Sequence, residues 1–167
     1  MAVTSSGTAT VTLPTDEQIL ITREFDAPKH LVWQAFTTPE LVKRWWHAKR
    51  GEVTVAEIDL RVGGKWRYAM VTPDGFEVGF HGEYLEVVPG ERLVSTETYE
   101  GVPEDVSEED ATTINTASFE EENGRTTLTI LVQARTKESR DAIVASGMED
   151  GLQDALDLLE ELSVSLR

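Results

Sequence analysis

The polar side chains best suited to chemistry lie on a predicted strand at residues 91–100. Glu97 and Tyr99 are two residues apart there, so an extended strand turns the carboxyl and the phenol towards the same face. If that face is buried, desolvation favours the protonated carboxyl, which could act as a general acid or donate a hydrogen bond to a ligand carbonyl. The alternatives are a glutamate at the surface or at the mouth of the sheet, or one that pairs with Arg67.

Aromatic side chains alternate along the neighbouring strands and favour an apolar cavity. Trp66, Tyr68 and Met70 share one face of the strand predicted at 65–72, and Phe80 belongs to the alternating face of the next strand. The predicted ligand-binding residues are Trp46, Trp66, Tyr68, Met70, Phe80, Glu97, Tyr99, Met148, Leu152 and Leu156. The alternative is that these side chains fill an ordinary close-packed core.

The histidines His30, His47 and His81 stand apart in the sequence, without H-x-x-x-H or H-E-x-x-H spacing, and the chain has no cysteine. We therefore predict no metal site and no cofactor, because a metal needs several converging ligands. The sequence also lacks a G-x-S-x-G elbow, a P-loop and a G-x-G-x-x-G run between a strand and a helix, which argues against hydrolase, kinase and nicotinamide chemistry.

Charge and composition restrict the partners. The 167 residues carry a net charge of −16, from 15 basic and 31 acidic side chains, which disfavours binding to nucleic acid or to anionic membranes. No apolar run reaches about 18 residues, so stable membrane insertion is not expected. The first residues hold no basic-then-apolar targeting signal, and the predicted location is the cytoplasm.

The elements that must position these residues follow from periodicity and from turn signals. Residues 18–25 alternate as a strand, and Asp26 with Pro28, then Thr38 with Pro39, predict the starts of two short helices, the second ending near Trp46. Residues 1–15 are expected to be a flexible tail, although 8–13 alternate enough to add an edge strand. Residues 16–167 are then a single domain.

The middle of the chain predicts a meander, and its end predicts a helix. Turn signals separate six strands, at 53–61, 65–72, 76–88, 91–100, 112–121 and 125–135. A short helix at 137–146 should precede a long one, with a break near Gly147, whose apolar stripe continues to Leu166. A helix that follows a whole sheet and still has an apolar stripe to bury must pack across that sheet.

Short runs of sequence resemble, in the same order, the family named after the activator of the ninety-kilodalton heat-shock protein ATPase. These runs are ITREFDAP (21–28), VWQAFT (32–37), PEL (39–41), WW (45–46), DLRVGG (59–64), PDG (73–75), GEYLEVVP (82–89), TE (96–97) and SGM (146–148). The resemblance implies an α+β fold of the START-like, helix-grip (SRPBCC) kind. In that fold a curved antiparallel sheet of six to seven strands wraps around a long C-terminal helix, with two short helices after the first strand and an internal pocket.

Three functions agree with this fold. The favoured one is a non-enzymatic module that binds a small hydrophobic or aromatic molecule between the sheet and the last helix, oriented by Glu97, Tyr68 and Tyr99. The second is an acid–base enzyme of cyclase or aromatase type, with Glu97 and Tyr99 as candidate catalytic residues. The third, which the family name suggests, is an interaction module that contacts a chaperone.

Overall fold

The computed structural model describes residues 9–167, which form eight strands and four helices. The strands are β1 (Thr10–Thr12), β2 (Gln18–Phe25), β3 (Glu52–Ile58), β4 (Lys65–Val71), β5 (Glu77–Val88), β6 (Arg92–Tyr99), β7 (Thr112–Glu122) and β8 (Arg125–Gln133). The helices are α1 (Lys29–Thr37), α2 (Pro39–Val42), α3 (Lys137–Ala145) and α4 (Met148–Ser165). All strands join one antiparallel sheet in the order β1-β2-β8-β7-β6-β5-β4-β3.

This arrangement confirms the predicted α+β helix-grip fold, with one strand more than the six to seven expected. The additional strand is β1, which pairs with β2 at the edge of the sheet. Ala9 and Val11 are buried, and the backbone of Ala9 exchanges two hydrogen bonds with the Gln153 side chain on α4. These contacts correct the flexible-tail prediction for residues 9–12; residues 1–8 of that tail lie outside the described residues.

The two short helices follow β2, as predicted, but the start of the first and the end of the second differ in detail. Pro28, and not Asp26, occupies the N-cap position of α1, and it provides no side-chain cap. The Asp26 backbone N–H instead donates to Glu160 of α4 at 2.8 Å. Helix α2 is a single turn with Pro39 at its start, and turns occupy residues 43–49.

Helix α4 packs on one face of the sheet, which we call the inner face. Ala155, Leu156, Leu159 and Leu162 are buried on its apolar stripe. Gly147 adopts a φ of 84° before the helix, a left-handed conformation that glycine accepts without steric cost, and this produces the predicted break between α3 and α4. The sheet and α4 together therefore enclose the core.

Candidate functional site

Five aromatic rings lie in edge or tilted contact on the inner face of β4, β5 and β6 and on the turn after α2. Trp66 lies 4.8 Å from Tyr68, which lies 5.5 Å from Trp46, measured between ring centroids. Trp46 is 5.9 Å from Phe80, and Phe80 is 5.0 Å from Tyr99. We call these five residues the aromatic row. The structure thus brings together five of the ten residues that the sequence predicted to contact a ligand.

An irregularity between β5 and β6 holds the first ring of the row. The Trp66 indole N–H donates to the Thr96 carbonyl at 3.1 Å, and the Thr96 hydroxyl accepts from the Glu83 backbone N–H at 3.0 Å. Regular pairing between β5 and β6 skips Gly82 and Glu83 at this point. A Cβ at Gly82 would overlap the Thr96 carbonyl oxygen and the Trp66 indole nitrogen. Glycine therefore allows the indole to reach across β5 to β6.

Glu97 projects from the inner face of β6, where its polar partner is an amide. The Asn115 side-chain amide donates to Glu97 Oε2 at 3.2 Å, and the Thr113 hydroxyl donates to Asn115 Oδ1 at 2.8 Å. Glu97 keeps some solvent exposure, yet protein surrounds its carboxyl closely enough that desolvation raises the pKa to about 7. Near neutral pH the site therefore contains both the neutral and the ionised carboxyl.

The predicted alternative in which Glu97 pairs with Arg67 is wrong. Arg67 lies on the opposite face of the sheet, where its guanidinium donates to both oxygens of Glu100 at 2.8 and 2.9 Å. His81 Nδ1 contacts the same carboxylate at 2.8 Å. Arg67 first, and His81 next, lower the pKa of Glu100 to about 2. Glu97 on the inner face of β6 and Glu100, which directly follows β6 and lies on the opposite face of the sheet, thus have carboxyls with pKa shifts in opposite directions.

The phenol of Tyr68 interacts with the Glu97 carboxyl, and the phenol of Tyr84 interacts with that of Tyr68. Burial raises the pKa of Tyr68 well above its ordinary value, and the neighbouring Tyr84 and Glu97 raise it further. Burial also raises the pKa of Tyr84 to about 12. Both phenols therefore remain neutral at physiological pH. They offer hydroxyl groups that can donate or accept hydrogen bonds beside a carboxyl.

Three residues of the candidate site were not predicted from the sequence: Tyr84, Asn115 and Thr113. Tyr84 shares the alternating face of Phe80 on β5, so that alternation, followed further along the strand, was the signal that could have found it. Asn115 and Thr113 had no comparable signal, because their proximity to Glu97 depends on the register between β6 and β7.

The helical residues of the predicted pocket divide into two groups. Leu156 is buried in the core, whereas Met148 and Leu152 are only partly buried and pack against its margin. Met70 lies on β4 at the parity of Tyr68 but, within residues 9–167, is not among the side chains packed on this core cluster. Met148 and Leu152, on the first turns of α4, are therefore less covered than Leu156.

Two tryptophans anchor the turn after α2. Trp45 is buried, donates its indole N–H to the Ala35 carbonyl at 2.9 Å and stacks on Phe36. Trp46, the next residue, projects to the aromatic row. Arg50 ties the end of the same turn to α4 by a bond of 2.8 Å to Asp154. The turn is thus fixed both to α1 and to α4.

The surface of residues 9–167 carries at least two open depressions. The larger, of about 550 Å³, is lined by Lys43, Arg44, His47, Gly51, Glu52 and Val53. The other, of about 410 Å³, is lined by Thr96, Glu108, Glu109, Thr112, Ile114, Gln133, Ala134 and Arg135. The lining of these two depressions includes none of the ten predicted ligand-binding residues. The predicted pocket beneath α4 stays a prediction.

Residues 9–167 contain no group of three or more His, Asp or Glu side chains placed to hold a metal ion. None of the helices in this range combines the length and apolar composition needed to cross a bilayer.

Comparison with solved structures places the fold among bacterial proteins. A Rhodobacter sphaeroides protein is 25% identical, with a TM-score of 0.84, over 94% of this chain and 99% of its own. An Arthrobacter aurescens protein is 25% identical, with a TM-score of 0.81, over 93% and 91%. A Chromobacterium violaceum protein is 28% identical, with a TM-score of 0.75, over 89% and 98%. Comparison with curated proteins finds no match.

A family model extends over most of the fold. The model described as Activator of Hsp90 ATPase homolog 1-like protein matches residues 26–163, from the residue after β2 to the last turn of α4. This range contains all ten predicted ligand-binding residues and both short helices. The match confirms the resemblance carried by the short runs of sequence. The chain therefore belongs to the family of Activator of Hsp90 ATPase homolog 1-like proteins.

Proposed function

We propose that this protein binds a small apolar or aromatic molecule between the aromatic row and the N-terminal half of α4. The observation that carries the proposal is a gradient of burial along that helix. Leu159 and Leu162, in the C-terminal half, are 0% and 5% exposed, whereas Met148 and Leu152 are only partly buried. The apolar stripe is thus more accessible at Met148 and Leu152 than at Leu159 and Leu162.

The sheet has a matching gradient. Phe25 and Phe119, on β2 and β7, are at most 1% exposed, whereas Tyr68, Phe80 and Tyr99 on β4 to β6 keep partial exposure. Accessible aromatic area on an inner face gains free energy when an apolar molecule covers it, at about 25 cal/mol for each Å² removed from water. A ring-containing ligand can also stack against these side chains.

Glu97 gives this surface a polar group that can orient the ligand. In its neutral form the carboxyl donates a hydrogen bond to a carbonyl, and in its ionised form it accepts one from a hydroxyl or an amide. Tyr68 and Tyr84 add neutral hydroxyls nearby. A few polar groups among apolar ones are typical of small-molecule sites. The ligand class that fits is therefore an apolar or aromatic molecule with one carbonyl or hydroxyl group.

The test uses the neutral fluorescent probe N-phenyl-1-naphthylamine and two matched variants, Trp46→Leu and Trp33→Leu. Trp33 is also a partly buried tryptophan, but its ring contacts Phe119 at 5.3 Å and not the aromatic row. We expect saturable binding, weakened about tenfold in Trp46→Leu because about 50 Å² of apolar contact is lost. Binding in Trp33→Leu should match the wild type. No saturable binding, or equal weakening in both variants, would contradict the proposal.

A second candidate, acid–base catalysis, is favoured by the pKa of Glu97, which burial raises to about 7. A group of that pKa exchanges protons readily near neutral pH. Incubation with 2-tetralone in D₂O tests this: the carboxylate removes an α-proton to form the enolate, and deuterium from solvent replaces it. Catalysed exchange should disappear in Glu97→Gln, while ligand affinity stays within about twofold of the wild type. Exchange at the buffer rate would exclude this candidate for ketones of this kind.

A further inference from the structure

The turn after α2 is a basic segment in an acidic protein. Residues 43–50, which we call the basic turn, contain Lys43, Arg44, Lys49 and Arg50 and no acidic residue, although acidic residues outnumber basic ones 31 to 15 in the chain. A net charge of −16 repels an anion from most of the surface. A local concentration of positive charge therefore defines where an anion can bind with least repulsion.

Three side chains of the basic turn line the larger depression. Lys43, Arg44 and His47 face about 550 Å³ of space, and Glu52 is the acidic residue of the same lining. The depression is largely open to solvent, so it could hold one charged group of a larger molecule. Arg44 offers a planar set of donors that fits the oxygens of a carboxylate or a phosphate.

The charges of the basic turn are only partly neutralised by protein groups. Arg50 pairs with Asp154 at 2.8 Å, and Lys43 lies 3.7 Å from Glu40 in an exposed contact that contributes little. Among residues 9–167, neither Arg44 nor Lys49 forms an ion pair. Positive charge thus remains available at the depression.

The basic turn also reaches the aromatic row, because Trp46 belongs to both. Its ring contacts Tyr68 and Phe80, while Lys43, Arg44 and His47 on the same turn line the depression. One turn of chain thus joins an accessible apolar surface to a cationic one. A molecule with an apolar body and a charged end matches that juxtaposition.

We propose that the depression lined by Lys43, Arg44 and His47 binds the anionic group, a carboxylate or a phosphate, of an amphipathic ligand whose apolar body contacts Trp46. This inference rests on the proposed function, since it assigns a charge to the ligand of the same surface. The basic turn selects for the anionic group, and the aromatic row supplies the apolar contact.

The experiment compares two probes that differ by one anionic group, 8-anilino-1-naphthalenesulfonate and the neutral N-phenyl-1-naphthylamine. The double variant Lys43→Gln/Arg44→Gln is compared with Lys65→Gln/Arg125→Gln, which removes the same two charges from exposed ion pairs elsewhere. In the first variant we expect affinity for the sulfonate to fall about tenfold and affinity for the neutral probe to stay unchanged. The second variant should bind both probes like the wild type.

Competition identifies the anionic group. Decanoate, decyl phosphate and decanol share an alkyl chain, and we expect the two anions to displace the sulfonate at lower concentration than decanol. This preference should shrink at 0.5 M salt, where the Debye length falls to about 4 Å. The salt experiment uses the wild-type protein, so it tests the proposal even if the double variant does not fold.

The outcomes separate the two proposals. If neither probe binds, the proposed function fails. If the neutral probe binds and the sulfonate binds no better in the wild type than in Lys43→Gln/Arg44→Gln, the anionic site is refuted while the proposed function stands. A preference for anions that 0.5 M salt leaves unchanged would also refute it. Equal weakening in both double variants would indicate an effect of net charge and overturn the assignment to this depression.

Discussion

Replacing Glu97 with glutamine should stabilise the protein at alkaline pH and leave it nearly unchanged in mild acid. The folded chain holds the pKa of Glu97 at about 7, against an ordinary value of 4.5, because burial disfavours the charge. Below pH 4.5 the carboxyl is protonated in both states, and its stabilising contribution is complete. As the pH rises towards 7, the unfolded chain releases the proton while the folded chain retains it, so stability falls. Above pH 7 the contribution is lost.

The size of this effect follows from the difference between the two pKa values, since each pKa unit corresponds to about 1.4 kcal/mol. Full ionisation of Glu97 in the folded state thus costs about 3 kcal/mol. Glutamine cannot ionise, and its side-chain oxygen can still accept the hydrogen bond that Asn115 donates to Glu97. At pH 8 the variant should be more stable by about 3 kcal/mol, equivalent to about 6–12 °C in Tm for a domain of this size.

The assay is urea unfolding of wild type and Glu97→Gln at pH 5, 6, 7 and 8, followed by tryptophan fluorescence. The difference in the free energy of unfolding between the two proteins isolates the contribution of Glu97, because the remaining acidic groups titrate in both. Glu120→Gln, the same change at an exposed position on β7, is the matched control and should follow the wild type at every pH. If the difference in the free energy of unfolding between wild type and Glu97→Gln does not increase from pH 5 to pH 8, the claim that this carboxyl is desolvated is refuted.

Two further predictions concern the other face of β6 and the irregularity in the sheet. Glu100→Gln should be less stable than the wild type by up to about 1 kcal/mol at pH 6, a modest figure because solvent screens an exposed ion pair. Arg67 is the main cause that lowers the pKa of Glu100 to about 2. The difference in stability from the wild type should therefore vanish as the pH falls from 4.5 towards 2, as measured by acid titrations followed by circular dichroism. Gly82→Ala should lower the free energy of unfolding, measured with urea, by about 2–4 kcal/mol, because the added Cβ would overlap the Thr96 carbonyl. A variant as stable as the wild type would show that β5 and β6 can separate at this point without cost.

Strand positions were predictable because turn signals and alternation are local. The strand predicted at 76–88 is observed at Glu77–Val88, and the one predicted at 112–121 is observed at Thr112–Glu122. The break before the last helix was equally local, since it needed only a glycine able to adopt a positive φ at 147. The alternation at 8–13 was interpreted mainly as part of a tail, because so short a run gives a weak signal without knowledge of the strand that pairs with it.

The chemistry of the candidate site was harder to predict from the sequence. Alternation placed Glu97 on the face of β6 that turns inward, but the partner of its carboxyl depends on which residue of β7 lies beside it. That register places Thr113 opposite Glu97 and brings Asn115 within reach of its carboxyl, and β7 follows β6 only after a connection of twelve residues. Long-range register has no signature in either strand alone.

Accessibility beneath α4 was the property that periodicity could not resolve. The apolar stripe is continuous from Met148 to Leu162, so every position on it predicts burial equally well. What distinguishes the two ends is the structure that faces them: Arg23 on β2 binds Asp157 at 2.8 Å and fixes the C-terminal half to the sheet. The N-terminal half is tied to the backbone of Ala9 through Gln153 and to the turn that carries Trp46 through the ion pair of Arg50 with Asp154, yet Met148 and Leu152 on it are only partly buried. The ligand site that we propose therefore lies where the helix leaves the well-packed strands, and the periodicity of the sequence alone does not identify that end.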